Sequence, residues 1–114
     1  MSKIADPKLA DKGKLSYEWA NSHMQILSKT VEKMEKNKPL HGINIGFCLH
    51  ITKETSALAI GTKKLGANVS MCAANPLSTQ DDIAAFLASE GINIYAWRGQ
   101  NEKDYFDSIK SIIN

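Results

Sequence analysis

The sequence predicts a three-layer α/β fold, a parallel sheet of three strands flanked by helices. Two observations carry this. Short apolar runs alternate with stretches of helical spacing in the order α-β-α-β-α-β-α, and such alternation calls for right-handed crossovers between parallel strands. The connections between the runs are short, as this architecture requires. With 114 residues the chain is long enough for one small domain but not for two α/β domains.

Residues 1–14 read as a polar, irregular N-terminal arm, broken by Pro7 and Gly13. From Leu15 to about Lys36, Trp19, Met24, Ile26, Leu27, Val31 and Met34 recur at roughly three and four, which predicts one amphipathic helix. Asn37-Lys38-Pro39 ends it, because a residue before proline avoids helical backbone. Residues 43–49 form a short, nearly continuous apolar run whose length and β-branched content predict a strand buried on both faces. Thr52 then caps a helix from Lys53 to Leu65, with Glu54 in its first turn and Gly66 at its C-terminus. Gly61 inside that helix implies a close packing contact. Residues 68–74 predict the second strand, and 78–82 open a helix with a capping-box arrangement that runs to Ser89. Residues 92–97 predict the third strand, and Asn101 caps a last helix with Tyr105, Ile109, Ile112 and Ile113 on one face. The whole is expected to be Rossmann-like or flavodoxin-like, with strand one in the middle so that a switch point opens a crevice. Both outer strands would then carry bare edges.

Fourteen basic and twelve acidic side chains leave a net charge of +2, too balanced to imply nucleic acid or a membrane surface as partner. No apolar run approaches the ~18 residues of a membrane span, and the N-terminus lacks a signal-peptide core, so the expected location is the cytoplasm. Cys48 and Cys72 read as buried free thiols, with a disulfide between neighbouring strands as the alternative. No Cys/His cluster has metal-ligand spacing. There is no GxGxxG, no Walker loop and no GxSxG.

In open α/β sheets, ligands bind at the carboxyl ends of the strands. Polar residues gather there: His50, Thr52, Glu54 and Thr55 after the first strand; Asn75, Ser78, Thr79, Gln80 and Asp81 after the second; Arg98 and Gln100 after the third. Thr52, Ser78 and Thr79 serve equally well as helix caps, Asp81 and Asp82 as dipole partners, and Asn75-Pro76 as a turn. His50, placed between an apolar strand and a helix cap, is less easily explained by structure alone. On the residues alone, the reading stops at an α/β module with an unidentified ligand.

Four motifs take it further. Cys48-Leu49-His50-Ile51-Thr52-Lys53-Glu54-Thr55 resembles the CLHMTxET motif of the adenosylhomocysteinase (S-adenosylhomocysteine hydrolase) family. Residues 75–82 resemble its NPxSTQDD, Tyr95-Ala96-Trp97-Arg98-Gly99 its YAWKG, and Glu18-Trp19-Ala20 with Met24 its EWAxxxMP helix. The motifs occur in order and at the family's spacing from about Asp11 onward. Departures are Gln25 for the usual proline, Met71 for a frequent tryptophan and Ala74 for a frequent cysteine.

The resemblance implies that 15–114 are the N-terminal portion of a substrate-binding domain. It implies NAD as cofactor, held by a domain this chain does not contain, and a full-length enzyme that is a homo-oligomer. In the family's reaction, NAD oxidises the 3′-hydroxyl of S-adenosylhomocysteine, the acidified 4′ proton is lost, homocysteine leaves, water adds and the hydride returns, giving adenosine. Carried over by position, Leu49 would pack against adenine, and Thr52 and Glu54 would bond its polar edge. His50 would shuttle a proton at the 5′ carbon, Thr55 would support the loop, and Asn75 and Ser78 would border the homocysteine tail. The chain alone is then expected to be inactive. The contrasting possibility is a non-catalytic nucleoside-binding or interaction module derived from the same family.

Overall fold

The structure is a computed structural model that describes residues 2–113. Met1 and Asn114, the outer ends of the two segments assigned from sequence, lie outside the described residues. A 3-10 turn at Pro7–Leu9 leads into α1 (Ala10–His23) and α2 (Gln25–Glu35). Then follow β1 (Asn44–Leu49), α3 (Lys53–Lys64), β2 (Asn68–Ala73), α4 (Asp81–Ser89), β3 (Asn93–Tyr95) and α5 (Glu102–Ile113). The strands form one parallel sheet, with Cys48 opposite Cys72 and Met71 opposite Ile94 in register. The α/β class and its three parallel strands are as the alternating pattern predicts.

The strand order is β1-β2-β3, so β2, not β1, lies in the middle. Ile45, Phe47, Val69, Met71, Ala73 and Ile94 point into a common core with Ile60 of α3 and Ile83 and Leu87 of α4. Both crossover helices therefore cover the same sheet face, and two right-handed crossovers on one face step in the same direction. No reversal occurs within these three strands, and the expected switch point is not formed among them. Among the described elements the opposite face is covered by α5, where Ile112 Cδ1 comes within 3.5 Å of the position a Gly46 side chain would take.

β1 is an edge strand, half-exposed along its length with Cys48 in solvent, not buried on both faces. β3 is not bare: Lys3 bridges in parallel to Tyr95, donating its N–H to the Ile94 carbonyl at 2.8 Å and accepting from Ala96 N–H at 3.0 Å. The N-terminal segment is thus structured rather than irregular. Gly13 does not break it, since α1 runs through this residue, and a Cβ there would lie 1.9 Å from the Asp82 carbonyl oxygen. Glycine lets α1 lie directly on the start of α4.

The single helix expected over residues 15–36 is two. Met24, at φ −108 and ψ 62, breaks it, and α2 turns onto α3, where a Cβ at Gly61 would meet Val31 Cγ2 at 2.9 Å. This is the close contact that a glycine inside a helix implied. The break also explains why Trp19, Ile26 and Met34, expected on one buried face, are exposed while Ala20 and Val31 are buried. Ile113 at the end of α5 is likewise exposed.

Candidate functional site

The carboxyl ends of the strands carry three loops that are tied to one another. At the start of α3, Thr52 and Thr55 form the full capping box. Thr55 N–H donates to Thr52 Oγ1 at 3.4 Å, and Thr52 N–H donates to Thr55 Oγ1 at 3.0 Å. The Thr55 hydroxyl also donates to the His50 carbonyl at 2.5 Å, which fixes the backbone of the residue directly after β1. His50 is exposed, and its Nδ1 lies 2.7 Å from Ser78 Oγ on the loop after β2. That loop is folded by Asn75, whose Oδ1 accepts Leu77 N–H at 2.7 Å and whose carbonyl accepts the Ser78 hydroxyl at 3.2 Å.

The remaining ties run along the loops. Gln80 N–H donates to the Ile51 carbonyl at 2.9 Å, and Gly99 N–H to the Pro76 carbonyl at 2.7 Å. Asp81 Oδ1 accepts Arg98 N–H at 3.0 Å. Asp81 therefore holds the third loop's backbone as well as sitting in the first turn of α4, where its charge suits the helix dipole.

His50, Thr52, Thr55, Asn75 and Ser78 thus come together, with half-buried Leu49 at the end of β1. Glu54 stands exposed in the first turn of α3, and among the described residues its carboxylate has no hydrogen-bond or ion-pair partner. The capping box expected at residues 78–82 is not formed: α4 starts at Asp81 with Gln80 at the cap and no side-chain cap bond, and Ser78, two residues earlier, bonds His50 and Asn75. Thr79 is buried with an unpartnered hydroxyl. Gln100, expected on the crevice, is drawn under α5, where its amide donates to Ser108 Oγ at 2.9 Å.

Sequence reading missed two contacts around this site. Lys53 Nζ sits 4.3 Å from the ring centroid of Trp19, which also stacks on His23 at 4.2 Å, so α1 reaches the start of α3. The apolar spacing assigned Trp19 to a buried face, which masked this role. The second is the Asn75 carbonyl, a backbone group that no residue pattern reveals.

The two thiols are free, as the first reading of the cysteines held, though only Cys72 is buried. Burial, and then its hydrogen bond to Cys48, pushes the Cys72 thiol from 9.0 up to about 12. It is therefore a protonated, inert group at neutral pH. Among the described residues no three His, Cys, Asp or Glu side chains gather to hold a metal, and no helix is long and apolar enough to cross a membrane.

The described residues do not fit NAD. A dinucleotide needs a glycine-rich turn between a strand and the helix that follows, with free amides for the pyrophosphate. Gly99 is the one glycine in such a connection, and its N–H is already given to Pro76. The remaining described glycines lie within β1, inside α1 and α3, before β1, or just after α3 and α4.

A family model described as S-adenosyl-L-homocysteine hydrolase matches residues 1–114. Adenosylhomocysteinases of Sulfurisphaera tokodaii and Saccharolobus solfataricus are each 50% identical over 111 residues, 97% of this chain and 27% of theirs. The S-inosyl-L-homocysteine hydrolase of Methanopyrus kandleri is 41% identical over 111 residues, 97% of this chain and 26% of its own. The chain thus spans about a quarter of the length of the curated relatives it matches.

Proposed function

Because the chain belongs to the S-adenosyl-L-homocysteine hydrolase family, we propose that residues 49–55 and 75–78 form the nucleoside side of a site that cleaves S-adenosyl-L-homocysteine to adenosine and homocysteine. The observation that carries this reading is the 2.7 Å contact of His50 with Ser78 across two loops, beside a capped helix start whose Glu54 carboxylate is unpaired among the described residues. Leu49 packs against the purine, and Thr52 and Glu54 take its polar edge. His50 exchanges a proton with the leaving sulfur or the attacking water at the 5′ carbon, work that suits an imidazole at neutral pH. Thr55 holds the His50 loop, and Asn75 and Ser78 border the homocysteine tail.

Glu54 also separates two substrates. Some relatives are named for S-inosyl-L-homocysteine. Adenine presents an amine donor at position 6, whereas hypoxanthine presents a carbonyl. Hypoxanthine keeps one donor on this edge, N1–H, but a carboxylate set against position 6 would face its carbonyl oxygen, so Glu54 in that place favours the adenosyl compound.

NAD is the family's cofactor, and since these residues do not fit it, the chain by itself releases no homocysteine in this reading. The whole enzyme is read, on the family resemblance, as a cytoplasmic homo-oligomer. The test grafts residues 1–114 in place of the matching segment of the Sulfurisphaera tokodaii relative. His50→Ala should lower turnover ~10²–10⁴-fold with little change in adenosine affinity. Glu54→Ala should weaken adenosine binding, since an amine donor is left unpaired. Equal effects of both changes on binding and turnover would overturn the assignment, as would sustained thiol release from the 114-residue chain given NAD and substrate.

A further inference from the structure

We infer that Ser78 is a positioning residue that holds neutral His50 as the Nδ1–H tautomer and leaves Nε2 as the nitrogen that takes up and returns the proton. The inference rests on the proton-exchange role proposed for His50. A serine hydroxyl has one hydrogen to donate and two lone pairs to accept with. Ser78 Oγ makes two contacts, 2.7 Å to His50 Nδ1 and 3.2 Å to the Asn75 carbonyl. The carbonyl can only accept, so forming that bond takes the hydroxyl's single hydrogen. The shorter contact to Nδ1 is then a bond in which the ring donates, and Nδ1 carries a proton. The reverse assignment, with the hydroxyl donating to Nδ1, sets two oxygen acceptors 3.2 Å apart with no hydrogen between them and leaves the Asn75 carbonyl only the Ser78 N–H at 3.4 Å.

Both partners are held from behind. The Asn75 side chain closes its own turn on Leu77, Pro76 is tied to Gly99, and the His50 carbonyl is tied to Thr55. Among the described residues the ring has no other hydrogen bond, so Nε2 is unengaged. Imidazole in water favours the opposite tautomer, with the proton on Nε2, so the site selects the minor form. The selected form has a chemical consequence. Protonating Nε2 gives an imidazolium that keeps Nδ1–H, and the chain Nδ1–H to Ser78 to Asn75 is unchanged. The ring can therefore gain and lose its proton without rearranging a hydrogen bond, which is the fixed orientation general acid–base work benefits from.

The test is long-range ¹H–¹⁵N NMR of the histidine side chains on the 114-residue chain, at a pH about two units above the ordinary imidazole value. His50 should show a protonated Nδ1 and an unprotonated Nε2. Ser78→Ala should move it toward the Nε2–H form, and Ser78→Thr, which keeps the hydroxyl, should restore the parent pattern. An Nε2–H signal in the parent chain overturns the inference even if no variant folds. In the grafted enzyme, Ser78→Ala should lower kcat roughly 2- to 12-fold, the range one net hydrogen bond supports, and Ser78→Thr should restore it. An unmoved tautomer in a folded Ser78→Ala chain, whatever happens to KM, would leave Ser78 as a substrate contact only and overturn the inference. An inactive parent graft with the Nδ1–H pattern intact would count against the proposed function while the tautomer assignment stands.

Discussion

Replacing Gly13 by alanine is the sharpest test of how the N-terminal helix sits. The new Cβ would lie 1.9 Å from the Asp82 carbonyl oxygen, 2.5 Å from its carbon and 2.8 Å from Phe86 Cβ, where ordinary contact begins at 3.4 Å. The first two atoms are backbone, so no rotamer change relieves the clash, and α1 must move from α4 by ~1.5 Å. Overpacking of this kind costs ~1–3 kcal/mol or more. Alanine returns up to ~1 kcal/mol of helix propensity. With two backbone atoms inside contact distance the upper part of that range applies, so the net expectation is a loss of ~1–2 kcal/mol, which for a domain of this size lowers Tm by roughly 4–15 °C. Thermal unfolding followed by circular dichroism measures it, with Lys12→Ala, an exposed neighbour, as the control that should stay near the parent. A Gly13→Ala chain as stable as the parent, or more so, would refute the packing of α1 on α4 and restore the reading of residues 1–14 as a loose arm.

Thr55→Val keeps the side-chain shape but removes the oxygen that serves both Thr52 N–H and the His50 carbonyl; urea unfolding should show a loss of ~1 kcal/mol. A thiol reagent should label Cys48 quickly in the native chain and Cys72 only after unfolding, since the first is exposed and the second buried; two equally fast thiols would contradict the structure. The fold keeps the Cys72 proton that the unfolded chain releases above 9.0. Its contribution to stability is therefore complete below that pH and declines as pH rises toward about 12. Tyr17, raised by burial and then by the Glu90 and Glu18 carboxylates, adds the same sign. Urea midpoints measured from pH 8 upward should fall with pH, less steeply in Cys72→Ala.

What could be read in advance was local. Thr52 and Gly66 mark the ends of α3 because capping depends on a few neighbouring backbone groups, and Asn101 caps α5 for the same reason, accepting Asp104 N–H at 2.8 Å. The break at Met24 depends on α2 turning to meet Gly61, a contact some thirty residues away, and apolar spacing runs through it almost undisturbed. Strand order was misjudged because alternation constrains the hand of each crossover but not which face the next helix covers. Gln100 is buried by α5, whose position no residue in the third loop announces. At the site, residue types after β1 were legible from the motif, but the engagement of Ser78 with His50 in place of a helix cap is a product of two loops meeting in space.

The central claim is that the loops after β1 and β2 hold a purine nucleoside and that Glu54 reads its exocyclic amine. Titrating adenosine and inosine separately into the ¹⁵N-labelled chain, and following backbone amides, tests it most directly. Adenosine should move the amides of residues 49–55 and 75–80 and saturate at lower concentration than inosine, and Glu54→Ala should erase the difference between the two. Shifts confined to other parts of the fold, none at millimolar adenosine, or equal response to inosine in the parent chain would contradict the account.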